Sequence, residues 1–273
     1  MLTAKPFIWW VGGKGQLVPE LLKYVPEKFG AYYEPFVGGG ALFFALQPKR
    51  ATLSDVNQRL VRTYRAVKNS TSSVIQLLKS WPNNKITYLE LRALDIDRTC
   101  DPEVAAWFIY LNKTGFNGLY RVNRLDKFNV SYGANPNATV CDEENLRACA
   151  QVLANATIFA AQFWEVPNLV VPGDFVYFDP PYDPVSKTAN FTAYTKGGFG
   201  RDAQVCLRDV ALKLARAGTY VLLSNANTEF IRELYATDFD LHEVGAARTI
   251  NCDSAKRGKV TELIIVPKGQ VST

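Results

Sequence analysis

The chain has 273 residues, 48% of them hydrophobic and 21% charged, a globular composition that excludes a disordered, collagenous or coiled-coil protein. At about 150 residues per domain it makes one large domain or two modest ones. Lys and Arg outnumber Asp and Glu by 31 to 26, a net charge of +5, which is compatible with a polyanionic partner without requiring one.

Five cysteines, Cys100, Cys141, Cys149, Cys206 and Cys252, occur without a CxxC pair. An odd number in that arrangement argues against a disulfide framework or a zinc finger and for reduced thiols. The single histidine, His242, removes Ser/His/Asp catalysis and histidine-based metal sites, since both need imidazole. The first ten residues lack the charged start and apolar length of a signal peptide, and no 18 apolar residues run together, so a cytoplasmic protein without metal or membrane anchor is expected. Chemistry is left to carboxylates, backbone groups or a cofactor.

In chain order, Ile8-Trp9-Trp10-Val11-Gly12-Gly13-Lys14 sets an aromatic pair before a glycine bend and a lysine; the P-loop spacing is absent. A short strand over 31–34 stops at Pro35, and Gly38-Gly39-Gly40 leads into a helix over 41–46. A second strand, 51–54, closes on Asp55. From about 58 to 168 the pattern turns helical, with Leu60, Val61, Tyr64 and Val67, then Val104, Phe108 and Leu111 at helical spacing. Inside this block, 119–123 and 128–132 alternate around a polar turn at 124–127, which predicts an exposed, mostly basic hairpin. Then 175–178 is a continuous apolar strand of the kind buried in a parallel sheet, ending abruptly at Asp179-Pro180-Pro181-Tyr182. A helix over 202–217 has its apolar face at 206, 207, 210, 211, 214 and 215. A buried strand over 220–224 follows, and 241–246 with 260–266 forms an antiparallel pair at the sheet's edge.

Two of these segments carry chemistry. In Glu34-Pro35-Phe36-Val37-Gly38-Gly39-Gly40 a strand runs into a glycine turn and a helix, where small residues let a nucleoside-like ligand approach the backbone. Phe43 occupies the place where the dinucleotide fingerprint wants a third small residue. Asp55, ending the next strand, can accept hydrogen bonds from ribose hydroxyls. Taken in order these features favour an adenosine-containing cofactor. Asp179-Pro180-Pro181-Tyr182 is rich in acceptors because proline lacks an N–H. An exocyclic NH2 there can donate one hydrogen to the Asp179 carboxylate and the other to the Pro180 carbonyl, which frees the nitrogen lone pair to attack a methyl sulfonium while Tyr182 stacks on the base. Neither a metal nor a histidine is required.

Almost from end to end the chain resembles the Dam-type (D12 class, alpha group) DNA adenine-N6 methyltransferases. The resemblance rests on Trp10-Val-Gly-Gly-Lys14, Glu34-Pro-Phe-Val-Gly-Gly-Gly40, Leu53-Ser-Asp-Val-Asn57, Tyr110-Leu-Asn-Lys-Thr-Gly-Phe-Asn-Gly-Leu119, Asp179-Pro-Pro-Tyr182 and Thr188-Ala-Asn-Phe-Thr-Ala-Tyr194. It implies an α/β fold: a Rossmann-like class I methyltransferase sheet (1–57 and 169–273) that binds S-adenosylmethionine, with an inserted helical target-recognition domain (58–168) bearing a β-hairpin. It further implies a monomer acting on double-stranded DNA by extruding the target adenine. Trp10, Lys14, Glu34, Phe36, Gly38, Gly40, Asp55 and Asp179 then belong to the cofactor site. Asp179, Pro180, Pro181 and Tyr182 belong to the catalytic turn, and Asn117, Leu119, Arg121, Arg124, Asn190, Arg248 and Lys259 to the DNA interface, with Lys256 and Arg257 beside them. Trp9 stands where readers of GATC usually carry lysine, Ser131 where the family has proline, and Ala134 where it often has arginine. The expected site is therefore GATC or a relaxed variant. An RNA amine methyltransferase is the alternative, because an Asp-Pro-Pro-aromatic turn suits any planar NH2.

Overall fold

The computed structural model describes residues 4–183, 199–246 and 260–270. In chain order they form α1 (Val18–Leu21), β1 (Tyr32–Glu34), α2 (Ala41–Leu46), β2 (Ala51–Asp55), α3 (Gln58–Asn69), α4 (Thr71–Ser80), α5 (Lys85–Ala93) and α6 (Asp101–Thr114). Then come α7 (Glu143–Leu153), β3 (Ala156–Ala160), β4 (Phe175–Phe178), α8 (Arg201–Arg216), β5 (Tyr220–Ala226), α9 (Glu229–Tyr235), β6 (Phe239–Ala246) and β7 (Val260–Pro267). Contacts divide the chain into two units, one of residues 1–13, 38–47 and 55–160, the other of 14–37, 48–54 and 161–273.

In the second unit the strands follow the order β2-β1-β4-β5-β7-β6. Pairing is parallel from β2 through β1 and β4 to β5, and antiparallel for β5 with β7 and β7 with β6. The chain first runs from β1 to β2 and later places β4 on the other side of β1, so the strand order reverses between β1 and β4. In open α/β sheets, ligands bind outside the carboxyl ends of the strands at such a switch point. The residues just beyond it are Pro35 and Phe36 after β1 and Asp179 to Tyr182 after β4. Phe175, Val176, Tyr177 and Phe178 are all buried, as a strand covered on both faces must be. Helix α8 buries Leu207, Ala211 and Leu214 against Val176, Phe178, Val221 and Leu223. The predicted face of this helix is corrected at two places: Cys206 is exposed, while Gln204 is buried. Apolar periodicity could not reveal Gln204, because its burial depends on hydrogen bonds to other elements.

The first unit is built on α3, α4, α6 and α7. Asn57 caps α3 by accepting from the Leu60 N–H, and Glu103 caps α6 by accepting from the Cys100 N–H, each satisfying a donor the helix leaves open. Buried Leu60, Val61, Tyr64 and Val67 of α3 and Val104, Phe108 and Leu111 of α6 supply its interior.

The predicted hairpin is only partly realised. The chain does turn at 123–127, where the Asn123 N–H donates to the Lys127 carbonyl at 2.9 Å and the Asn129 N–H to that of Arg121 at 3.0 Å. Instead of two continuous strands, however, isolated bridges join Val122 to Phe128 and Gly115 to Tyr132. The physical reason is that Tyr120, Phe128 and Val130 are drawn inward and buried. Phe128 meets Trp107 edge-on at 5.7 Å, and Tyr120 stacks on Phe108 at 4.8 Å.

Candidate active site

Asp179 is the first residue past β4. Continuing the register that pairs Phe178 with Leu223, it comes level with Ser224. One carboxylate oxygen, Oδ1, lies 3.0 Å from Lys14 Nζ and accepts a 2.8 Å hydrogen bond from Ser224 Oγ. Both contacts fall on Oδ1, which leaves Oδ2 for a further donor. Lys14 is 5% exposed and Asp179 19%, and this burial pushes the Asp179 carboxyl above its ordinary range, against the pull of Lys14 and Ser224. The Lys14 ammonium also sits 4.3 Å from the centre of the Tyr182 ring, a distance suited to cation–π attraction. Tyr182 in turn donates from its hydroxyl to Glu262 Oε2 at 2.7 Å. The ring is thus fixed at one end and electrostatically held on its face.

The turn itself is held through its backbone. Gln204 Nε2 donates to the Pro181 carbonyl at 2.9 Å, and Asn225 Nδ2 donates to Gln204 Oε1 at 2.9 Å. Pro180, between Asp179 and Pro181, is buried. On β1, Glu34 is buried and accepts from the Tyr32 hydroxyl at 2.9 Å. Phe36 stacks on Phe163 at 5.5 Å and meets Phe199 edge-on at 5.6 Å.

In the first unit the glycine turn and Asp55 form a second cluster. Gly38 and Gly40 hold φ of +46° and +66°, which glycine adopts without the strain a Cβ brings. A Cβ on Gly38 would meet the Trp10 indole at 2.7 Å. Trp10 stacks with Phe108 at 6.5 Å and with Tyr120 at 6.2 Å. Asp55 is half-buried and accepts from the Gly38 N–H at 3.3 Å and the Asn57 N–H at 2.9 Å. Burial raises its carboxyl from 3.8 to about 6, although those backbone donors oppose the shift.

Of the residues assigned to DNA, Asn117, Arg121 and Arg124 are exposed and Leu119 is half-buried. Asn117 holds φ +53°. Arg121 Nε donates to Asn129 Oδ1 at 2.8 Å, and its Nη2 to the Asn129 carbonyl at 3.2 Å, leaving Nη1 for another acceptor. Asn190, Arg248 and Lys259, with Lys256, Arg257, Cys252 and the 188–194 segment, lie outside the described residues.

Sequence reasoning missed Tyr177, Ser224, Asn225, Gln204 and Glu262. The available signal was Ser224-Asn225 breaking the apolar run of β5 at its carboxyl end, where a buried strand has no reason to turn polar unless something there needs partners. Among the described residues no three His, Cys, Asp or Glu side chains gather as a metal site, and no helix is long and apolar enough to cross a membrane.

The family model of D12 class N6 adenine-specific DNA methyltransferases matches residues 10–250. A Type II methyltransferase of Lactococcus lactis subsp. cremoris, M1.LlaDCHI, is 41% identical over 276 residues, covering 98% of this chain and 97% of that protein. The DNA adenine methylase of Vibrio cholerae (O395) is 36% identical over 270 residues, covering 97% and 96%, and that of Escherichia coli K12 is 33% identical over 273, covering 98% and 97%. With a family match across most of the chain and relatives of this identity over nearly their whole length, the chain belongs to the D12 class N6 adenine-specific DNA methyltransferases.

Proposed function

We propose that this chain transfers the methyl group of S-adenosylmethionine to N6 of an adenine extruded from duplex DNA, within GATC or a relaxed variant of it, and acts as a monomer. The observation that carries the reading is the Asp179 carboxylate at the switch point, with Lys14 and Ser224 both engaging Oδ1. An amine entering there donates to Oδ2 and to the Pro180 carbonyl, a pair of acceptors that matches the two hydrogens of an exocyclic NH2. Hydrogen bonding in that geometry draws the nitrogen lone pair out of conjugation with the ring. After the new N–C bond forms, the nitrogen carries one proton too many, and Asp179 is the acceptor already bonded to it. Extrusion costs a few kcal/mol of stacking and pairing; Tyr182, held by Glu262 and Lys14, returns part of this by stacking on the base.

The residues fit the methyl donor. Asp55 and Asp179 offer acceptors at the ends of β2 and β4, and the left-handed backbone at Gly38 and Gly40 admits close approach. Trp10, Lys14, Glu34, Phe36, Gly38, Gly40, Asp55 and Asp179 are the residues that would hold it. When bound, S-adenosylmethionine supplies an electrophilic methyl on a sulfonium that leaves as a neutral thioether. Residues 58–168 serve target recognition, with Asn117, Leu119, Arg121 and Arg124 at the bases. A bidentate arginine–guanine contact contributes about 1–3 kcal/mol of discrimination. Asn190 borders the extruded base, while Arg248 and Lys259 contact phosphates.

The test is transfer of labelled methyl from S-adenosylmethionine to unmethylated plasmid DNA, followed by mapping of N6-methyladenine. Signal at GATC or a related adenine-containing site supports the proposal. Transfer to RNA and none to DNA overturns it. An Asp179→Ala variant is expected to keep duplex binding and lose transfer; if methylation survives, the assignment of Asp179 is wrong.

A further inference from the structure

The Asp179 to Tyr182 turn is gripped by two consecutive residues of β5. Successive strand residues point to opposite faces of a sheet, so Ser224 and Asn225 reach it from different sides. Ser224 donates to Asp179 Oδ1 at 2.8 Å. Since that uses its only proton, the 2.9 Å contact between Ser224 Oγ and the Tyr177 hydroxyl has one possible direction: Tyr177 donates and Ser224 accepts. The result is a directed chain, Tyr177 to Ser224 to Asp179. On the other side Asn225 donates to Gln204, and Gln204 to the Pro181 carbonyl, while Asn225 Oδ1 takes the Ala226 N–H at 2.9 Å. Tyr177, Ser224, Asn225 and Gln204 are all at most 1% exposed. Polar groups buried so completely are costly unless their hydrogen bonds are met; here both chains end on the same four-residue turn.

We propose that Ser224 and Asn225 are positioning residues for methyl transfer: Ser224, backed by Tyr177, rotates the Asp179 carboxylate so that Oδ2 faces the target amine, and Asn225, through Gln204, fixes the Pro181 carbonyl and with it the pitch of the turn. The inference rests on the DNA adenine methyltransferase reading above. The ionisable groups around Asp179 are Lys14, Glu262, Tyr182, Tyr177 and Tyr32. Ser224 favours the charged carboxylate among them, so its loss raises the carboxyl further.

The experiment measures single-turnover methyl transfer to unmethylated plasmid DNA as a function of pH, with donor and DNA affinities measured alongside, for the full chain and for Ser224→Ala, Ser224→Thr, Tyr177→Phe and Gln204→Met. Ser224→Ala is expected to slow transfer about tenfold or more, as loss of a hydrogen bond to a charged group does. It also moves the acid limb to higher pH with both affinities little changed, and Ser224→Thr restores rate and limb. Tyr177→Phe shows a smaller change in the same direction. Gln204→Met slows transfer without moving the limb, because a carbonyl does not titrate. A role confined to folding would lower thermal stability and leave the limb in place. If Ser224→Ala does not fold, Tyr177→Phe, which removes a single oxygen, decides: an unchanged rate and limb overturn the inference. An active parent with a folded Ser224→Ala at full rate and unmoved limb overturns the inference alone, whereas an inactive parent overturns the methyltransferase reading together with it.

Discussion

Asp55 separates stability from function in a way that pH can read. Its folded carboxyl is raised from 3.8 to about 6 by burial. At about 1.4 kcal/mol per tenfold change in proton affinity, ionising it costs the fold up to about 3 kcal/mol more than it costs the unfolded chain. A group raised in this way contributes stability that is fully present below the unfolded value and lost as pH climbs through the folded one. Asp55→Asn does not titrate, so its stability relative to the parent should rise by up to about 3 kcal/mol between pH 4 and 6 and then level off. The amide keeps one acceptor where the carboxylate used two, for the Gly38 and Asn57 N–H groups, a pH-independent loss of about 1 kcal/mol. At about 2 °C per kcal/mol for a chain of this size, the difference in Tm between variant and parent should change by about 6 °C across the window. Thermal unfolding of both proteins at half-unit pH steps from 4 to 8 measures it, all other titrations cancelling in the difference. Methyl-donor affinity should fall in the same variant, since the amide has one oxygen to share between the backbone N–H groups and the proposed ribose hydroxyls. A difference in Tm that stays flat with pH, or slopes downward, refutes the argument.

Gly38→Ala combines a left-handed backbone with a Cβ placed 2.7 Å from the Trp10 indole; strain of about 1–3 kcal/mol is expected, seen as a lower Tm and weaker donor binding, and a variant indistinguishable from the parent in both would show that the turn yields freely. Lys14→Met leaves Asp179 without its ammonium partner, so the acid limb of methyl transfer should move to higher pH and the rate drop by at least tenfold, about the contribution of one charge-assisted hydrogen bond; pH–rate profiles check it. Arg59 forms a bidentate pair with Asp97 at 2.8 and 2.6 Å and also donates to the Asp126 carbonyl at 2.8 Å. Both carboxylates are about half exposed or more, so Arg59→Met should cost about 2 kcal/mol rather than the larger penalty of a fully buried pair. By releasing the 123–127 turn it should weaken duplex binding in an electrophoretic or anisotropy assay, with donor affinity unchanged.

Much of this protein is written in local pattern. The apolar run at Phe175–Phe178, stopped by two prolines, can only be a buried strand with a carboxylate at its end, and three glycines between β1 and α2 can only be a tight turn, because chain stiffness and the missing Cβ act within a few residues. With one histidine in the chain, composition alone directed the expected chemistry away from histidine catalysis and toward carboxylates and a cofactor. Tertiary structure decided what surrounds that carboxylate. Lys14, Ser224 and Glu262 reach the turn from distant parts of the chain, and no spacing rule links them, since strand order and register bring them together. Gln204 sits on an amphipathic helix where periodicity predicts an apolar or solvated residue, and only its two hydrogen-bond partners explain its burial. The 119–132 segment alternates like a hairpin, yet its aromatic side chains gain more by burial against α6 than its backbone gains by a continuous ladder. Sequence fixes what each short segment prefers; which segments meet is settled by the long-range packing of the sheet and helices, and the chemistry of Asp179 depends on that second decision.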